Sequence, residues 1–133
     1  MNNIDQEDNM IAFVSSPYTH PDPKVLDDRA KAAGDFAAYL WRERGAMVFS
    51  PIAHWHEIAM RNHLPGNAMA WAAYNREFVG IADVVYVLCI PGWRDSQGIA
   101  MEVKWADDMG VPVFYASPLG GGFIYSEEQP QDS

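Results

Sequence analysis

The chain has 133 residues, 49% hydrophobic and 20% charged, with a formal net charge of −9. That length holds one domain with a real core and not two, and the composition is that of an ordinary globular protein. The acidity argues against broad, non-specific nucleic-acid binding and against anionic membrane surfaces, and it does not exclude a small nucleotide held locally by helix-end amides.

The single cysteine, Cys89, gives no disulfide framework and points to a reducing compartment. No basic-then-apolar leader opens the chain and no apolar run reaches spanning length, so a cytoplasmic protein is expected.

Residues 1–10 read as a flexible extension, 11–125 as one α/β domain and 126–133 as a disordered acidic tail. Ile11 to Ser15 is a short apolar strand running into the turn-rich loop Ser16-Pro17-Tyr18-Thr19-His20-Pro21. Asp22-Pro23 is a cap followed by proline at the first helical position. Leu26, Ala30, Ala33, Ala37, Leu40 and Trp41 form the apolar stripe of that helix, and Gly45 ends it. Ala46 to Ser50 is a second strand, halted by Pro51. His54 to His63 reads as irregular or weakly helical. Asn67 caps a further helix to about Ala82, with Ala70, Ala73, Phe78, Val79 and Ala82 inward.

Val84 to Ile90 is a continuous apolar, β-branched run, the pattern of a strand buried on both faces. Pro91-Gly92 stops it, and Ser96 caps a helix on which Ile99, Val103 and Ala106 recur before Gly110. A fourth strand over Val111–Tyr115 precedes a flexible bend, Ser117 to Gly122, and a short last strand at Phe123–Tyr125. Alternating strands and helices predict a three-layer α/β sandwich around a parallel sheet of four to five strands. Right-handed crossovers put the first and third strands together at the switch point. The Ser15–His20 and Trp93–Gly98 loops would then flank one crevice.

At such a crevice the amides and dipole of the Ser96 helix suit an anion. Glu102 lies four residues beyond Gly98, about 6 Å along the axis, and helical side chains lean toward the amino end. Its carboxylate can face whatever the Ser96–Gly98 turn holds. The helix end favours its ionised form at neutral pH.

Three stretches together resemble the nucleoside 2-deoxyribosyltransferase-like superfamily, above all its small bacterial and phage members. They are the first strand into Ser16-Pro17-Tyr18, Phe49-Ser50-Pro51, and Gly92-Trp93-x-x-Ser96-x-Gly98-x-x-x-Glu102. The resemblance covers about Ile11 to Tyr115. It implies a flavodoxin-like fold and cleavage or transfer at the N-glycosidic bond of a nucleoside or nucleoside 5′-monophosphate. By similarity, Glu102 attacks the anomeric carbon and forms a glycosyl-enzyme intermediate. Ser96 and Gly98 hold the 5′ end, and Tyr18 lines the sugar pocket. The family's usual aspartate near the glycosidic bond falls on Asn75, which cannot shuttle a proton. Glu77 and Asp95 are the other candidates to serve the leaving base.

Ser16, His54 and Trp93 complete the expected substrate-binding set. Ser117, on a tail reaching across a two-fold interface as in related enzymes, implies a homodimer or higher homo-oligomer. His54, His56 and His63 lack the spacing of a metal site, and no cofactor fingerprint is present. A non-catalytic module sensing a nucleotide-derived ligand in the same crevice is the alternative.

Overall fold

The computed structural model describes residues 10–65 and 68–131. Expectations placed on residues 1–9, on Asn67 and on the last two residues lie outside these. In chain order the elements are β1 (Ile11–Ser15), α1 (Pro23–Arg44), β2 (Met47–Phe49), α2 (Pro51–Asn62), α3 (Ala68–Ile81), β3 (Val84–Leu88), α4 (Gln97–Met109), β4 (Val113–Leu119) and β5 (Gly122–Ser126). The sheet order is β2-β1-β3-β4-β5. Neighbouring strands from β2 to β4 pair parallel, and β5 returns antiparallel to β4.

Alternation along the strands sorts the core into two layers. Ala12, Val14, Val84, Tyr86 and Leu88 face Phe36 and Leu40 of α1. Phe13 and Val85 face Val79 of α3 and Ala106 of α4. All five residues of β3 are buried, as its unbroken apolar run requires. From β1 the chain adds β2 on one side and then crosses back to add β3 on the other, so the carboxyl ends of the parallel strands β1 and β3 form the switch-point crevice.

Several local expectations are corrected. On α1, Phe36 occupies the buried stripe with Ala30, Ala33 and Leu40, whereas Trp41 is 68% exposed. On α3, Ala70 and Ala73 are exposed, and the buried positions are Asn75 and Val79.

Pro51 does not simply halt β2. It is the first residue of the 12-residue helix α2, and the Ser50 side chain accepts from the Ala53 amide as its N-cap. Proline's fixed φ and missing N–H cost nothing there. The segment expected to be irregular is therefore a regular helix, closed by His63 at φ 56°.

Ser117 to Gly122 is not a flexible bend. β4 continues to Leu119 and pairs with β5 down to Leu119↔Gly122, which leaves Gly120 and Gly121 as a tight turn. Gly120 has φ +60°, the positive value that such hairpin turns demand. Beyond Leu88↔Ala116, β4 has no β3 neighbour, so Pro118 sits where one strand side is an edge and is tolerated. The described part of the acidic tail folds toward a short 3-10 turn at Trp93–Asp95, where Arg94 Nη2 donates to Pro130 O at 2.6 Å. No helix among the described residues is long and apolar enough to cross a membrane.

Candidate active site

Ser15 ends β1 two residues beyond Phe13, so the pleat turns its side chain toward α3 and α4. On α4 the buried positions are Ile99, Glu102 and Ala106. A glutamate thus occupies a place in the apolar stripe of its helix. Asn75 lies one turn before the fully buried Val79 on the same face of α3. These three polar side chains, each at least nine-tenths buried, meet at one point. Ser15 Oγ donates to Glu102 Oε1 at 2.6 Å, and Asn75 Nδ2 donates to Glu102 Oε2 at 3.2 Å.

Burial pushes the Glu102 carboxyl up to about 7, while the bonds from Ser15 and then Asn75 hold it lower. The helix end alone favours an ionised group; desolvation outweighs it here, because nearly all of the carboxyl's water has been removed. Glu102 therefore changes charge near neutrality.

Glu102 lines a cavity of about 480 Å³ at the switch point. One end is the amino terminus of α4. Ser96 Oγ accepts from the Ile99 amide at 3.1 Å, and the Gln97 and Gly98 amides, at the first two helical positions, have no helical carbonyl to bind. Arg29 of α1 adds a cation at this rim. Its Nη1 donates to Tyr18 O and Thr19 O, and its Nη2 to Pro91 O at 3.4 Å, which joins the two loops flanking the crevice. Gly92 makes this possible: at φ +97°, a Cβ there would stand 2.2 Å from Arg29 Nη2.

The other wall is apolar and aromatic. Helix α2 presents Ile52, Trp55, His56 and Ala59 to the cavity, and Trp71 of α3 joins them. The spacing 52, 55, 56, 59 is one helical face. Tyr18 enters from the β1–α1 loop, and its hydroxyl lies 2.5 Å from His56 Nδ1. Three residues lining this space each carry a buried atom with no hydrogen-bond partner among the described residues: Ser16 Oγ, Asn75 Oδ1 and Trp55 Nε1.

Of the residues expected from sequence, Ser16, Tyr18, Asn75, Asp95, Ser96, Gly98 and Glu102 all line this cavity. Three others lie elsewhere. His54 is off the α2 face and packs against the Phe49 and Trp55 rings. Trp93 packs on Tyr115 with Arg94 over its face. Ser117 is paired within the hairpin, and its side chain bonds Cys89. Glu77 is exposed on α3 and does not line the cavity. Sequence reasoning missed Ser15, Arg29, His56, Trp55 and Trp71 as site residues. Reading Ser50-Pro51 as a helix start would have exposed the α2 face. Among the described residues no cluster of His, Cys, Asp or Glu could hold a metal ion.

A family model described as Domain of unknown function (DUF1937) matches residues 10–117. The chain belongs to this family. The matched span runs from β1 into β4 and contains every residue that lines the cavity. No curated protein matches the chain.

Proposed function

We propose that the protein cleaves or transfers at the N-glycosidic bond of a nucleoside 5′-monophosphate, with Glu102 as nucleophile. The observation that carries this reading is the position of Glu102. It is a buried carboxyl held by two donors, between a helix amino end with Arg29 and a tryptophan-lined wall. A sugar phosphate with a heteroaromatic base matches that sequence of environments. The phosphate meets the Gln97 and Gly98 amides, the base lies on the aromatic wall, and the anomeric carbon falls between them.

The chemistry is that of a retaining glycosidase. A carboxylate attacks the anomeric carbon through an oxocarbenium-like transition state, and the ester formed is then released to water or to another base. Ser15 and Asn75 fix the carboxylate in one orientation. The motif resemblance to nucleoside 2-deoxyribosyltransferase-like proteins supports the same assignment of Glu102 and of the Ser96–Gly98 turn. A homo-oligomer is part of this proposal, without a role for Ser117, which the hairpin already engages.

The raised pKa of Glu102 favours one second reading. A carboxyl that keeps its proton is a hydrogen-bond donor, suited to a module that binds a nucleotide without cleaving it.

Incubation with ribo- and deoxyribonucleoside 5′-monophosphates, followed by chromatography for free base, separates the two. Base release that disappears in Glu102→Gln is expected. Tight binding of a monophosphate with no base released from any member would overturn the enzymatic reading in favour of the module.

A further inference from the structure

Cleavage of an N-glycosidic bond sends an electron pair to the departing base, which needs a proton. Asn75 cannot give one, because an amide does not ionise and its Nδ2 already serves Glu102. Asp95 is exposed and stands beside Ser96 at the amino end of α4, with no hydrogen-bonded relay behind it among the described residues. That wall carries a different chain of groups. Tyr18 Oη lies 2.5 Å from His56 Nδ1, and His56 Nε2 lies 2.6 Å from Asp27 Oδ1.

His56 is the partition between two spaces. It lines the cavity on one side and, on the other, a surface groove between α1 and α2. Its side chain is 14% exposed, whereas that of Asp27 is 67% exposed. The chain therefore runs from solvent to the cavity interior. We propose that Asp27, His56 and Tyr18 form a proton relay in this wall, and that the Tyr18 hydroxyl at its inner end protonates the departing base. The proposal rests on the glycosidic reading above.

Donor and acceptor rules fix how the route works. A carboxylate only accepts, so Asp27 places a proton on His56 Nε2. In neutral His56, Nδ1 is then a lone pair and Tyr18 donates to it, turning its proton away from the cavity. In the imidazolium, Nδ1–H donates to Tyr18 Oη, which frees the phenolic proton for the cavity. Burial and the Asp27 charge raise the Tyr18 phenol, so it holds its proton until a partner takes it.

The step balances. Glu102 forms the C–O bond as the C–N bond breaks, and the electron pair goes to the base nitrogen. The Tyr18 proton moves to that pair and the His56 Nδ1 proton moves to Tyr18, which leaves neutral His56 with its Nε2–H on Asp27. The water or base that then displaces Glu102 from the anomeric carbon gives its proton to Tyr18, and the Tyr18 proton returns to His56 Nδ1. The charged and titratable groups that line these two spaces with His56 are Asp27, Lys31 and Glu57 in the groove, and Tyr18, His20, Arg29, Asp95 and Glu102 in the cavity.

Two measurements test the route. In 15N NMR of the ligand-free protein, neutral His56 should be the Nε2–H tautomer, and Asp27→Asn should shift its tautomer balance. A neutral His56 protonated on Nδ1 would overturn the route whatever the activity. Second, His56→Gln and Tyr18→Phe should slow base release about 10²-fold or more, the usual size of acid catalysis. Release of 4-nitrophenolate from the 4-nitrophenyl riboside and 2-deoxyriboside 5-phosphates needs no proton and should fall far less. Equal losses on both leaving groups would make these residues structural and overturn the proposal. No turnover of either substrate by the wild-type protein, with the Nε2–H tautomer intact, would instead bring down the glycosidic reading and with it the proton's destination.

Discussion

Ser15 Oγ donates to Glu102 Oε1 at 2.6 Å, joining the last residue of β1 to α4 across 87 positions of sequence. The bond favours the ionised carboxylate, and burial opposes it. Ser15→Ala should therefore raise the Glu102 pKa above its present value of about 7. Because the proposed nucleophile must be ionised to attack, the rising limb of the kcat/KM profile should move to higher pH in this variant. A pH–rate series with parallel 13C titration of Glu102 checks both. An unmoved limb would mean that the titration controlling activity belongs to another group.

Glu102 also governs stability. Its carboxyl binds a proton more tightly in the folded protein than the ordinary value of 4.5 allows. Stability from this group is thus complete below about pH 4.5 and falls as pH rises to about 7. The loss above that window is roughly 3 kcal/mol. In Glu102→Gln no charge is buried, Ser15 can still donate to the amide oxygen, and the idle Asn75 Oδ1 can accept from its nitrogen. Thermal melts should show the variant more stable than wild type at pH 8, with the gap closing toward pH 4. A variant less stable at pH 8 would show that the carboxylate is better solvated than its burial implies.

The anion end can be weakened separately. Ser96→Ala removes the cap on the Ile99 amide and should cost roughly 0.5–2 kcal/mol of stability. Gly98→Val adds branched bulk where the backbone faces the cavity. Both should weaken binding of nucleoside monophosphates more than of the matching nucleosides in calorimetry. Equal losses would put the phosphate elsewhere.

Gly92→Ala should act on the same end from outside. The substitution carries about 1–2 kcal/mol of left-handed backbone cost, and its methyl group displaces the Arg29 guanidinium. Lower thermal stability together with weaker monophosphate binding is expected. Loss of stability with unchanged binding would remove Arg29 from the proposed phosphate site.

The sheet was legible because its signals are local. The unbroken Val84–Ile90 run, the Asp22-Pro23 start and the glycines at 45 and 110 each act within a few residues. Glu102 and the Ser96–Gly98 turn were legible for the same reason, lying within two turns of one helix. What escaped depends on distant partners. Arg29 sits among ordinary helix residues, and its rim role comes from Pro91, 62 positions away. Ser15 is an unremarked strand end until α4 docks. His56 was hidden by reading Pro51 as a stop, which concealed the periodicity of α2 and turned attention to His54. The Ser117–Gly122 stretch looked flexible by composition, yet pairing with β5 supplies the order that composition lacks.

The central claim is a covalent bond from the anomeric carbon to Glu102. Rapid acid quench of the wild-type protein during turnover of a nucleoside 5′-monophosphate, followed by peptide mass spectrometry, reads it directly. A sugar-phosphate mass on the peptide containing Glu102 is expected, with neither adduct nor free base from Glu102→Gln. An adduct on another residue, or base release by Glu102→Gln at the wild-type rate, would contradict it.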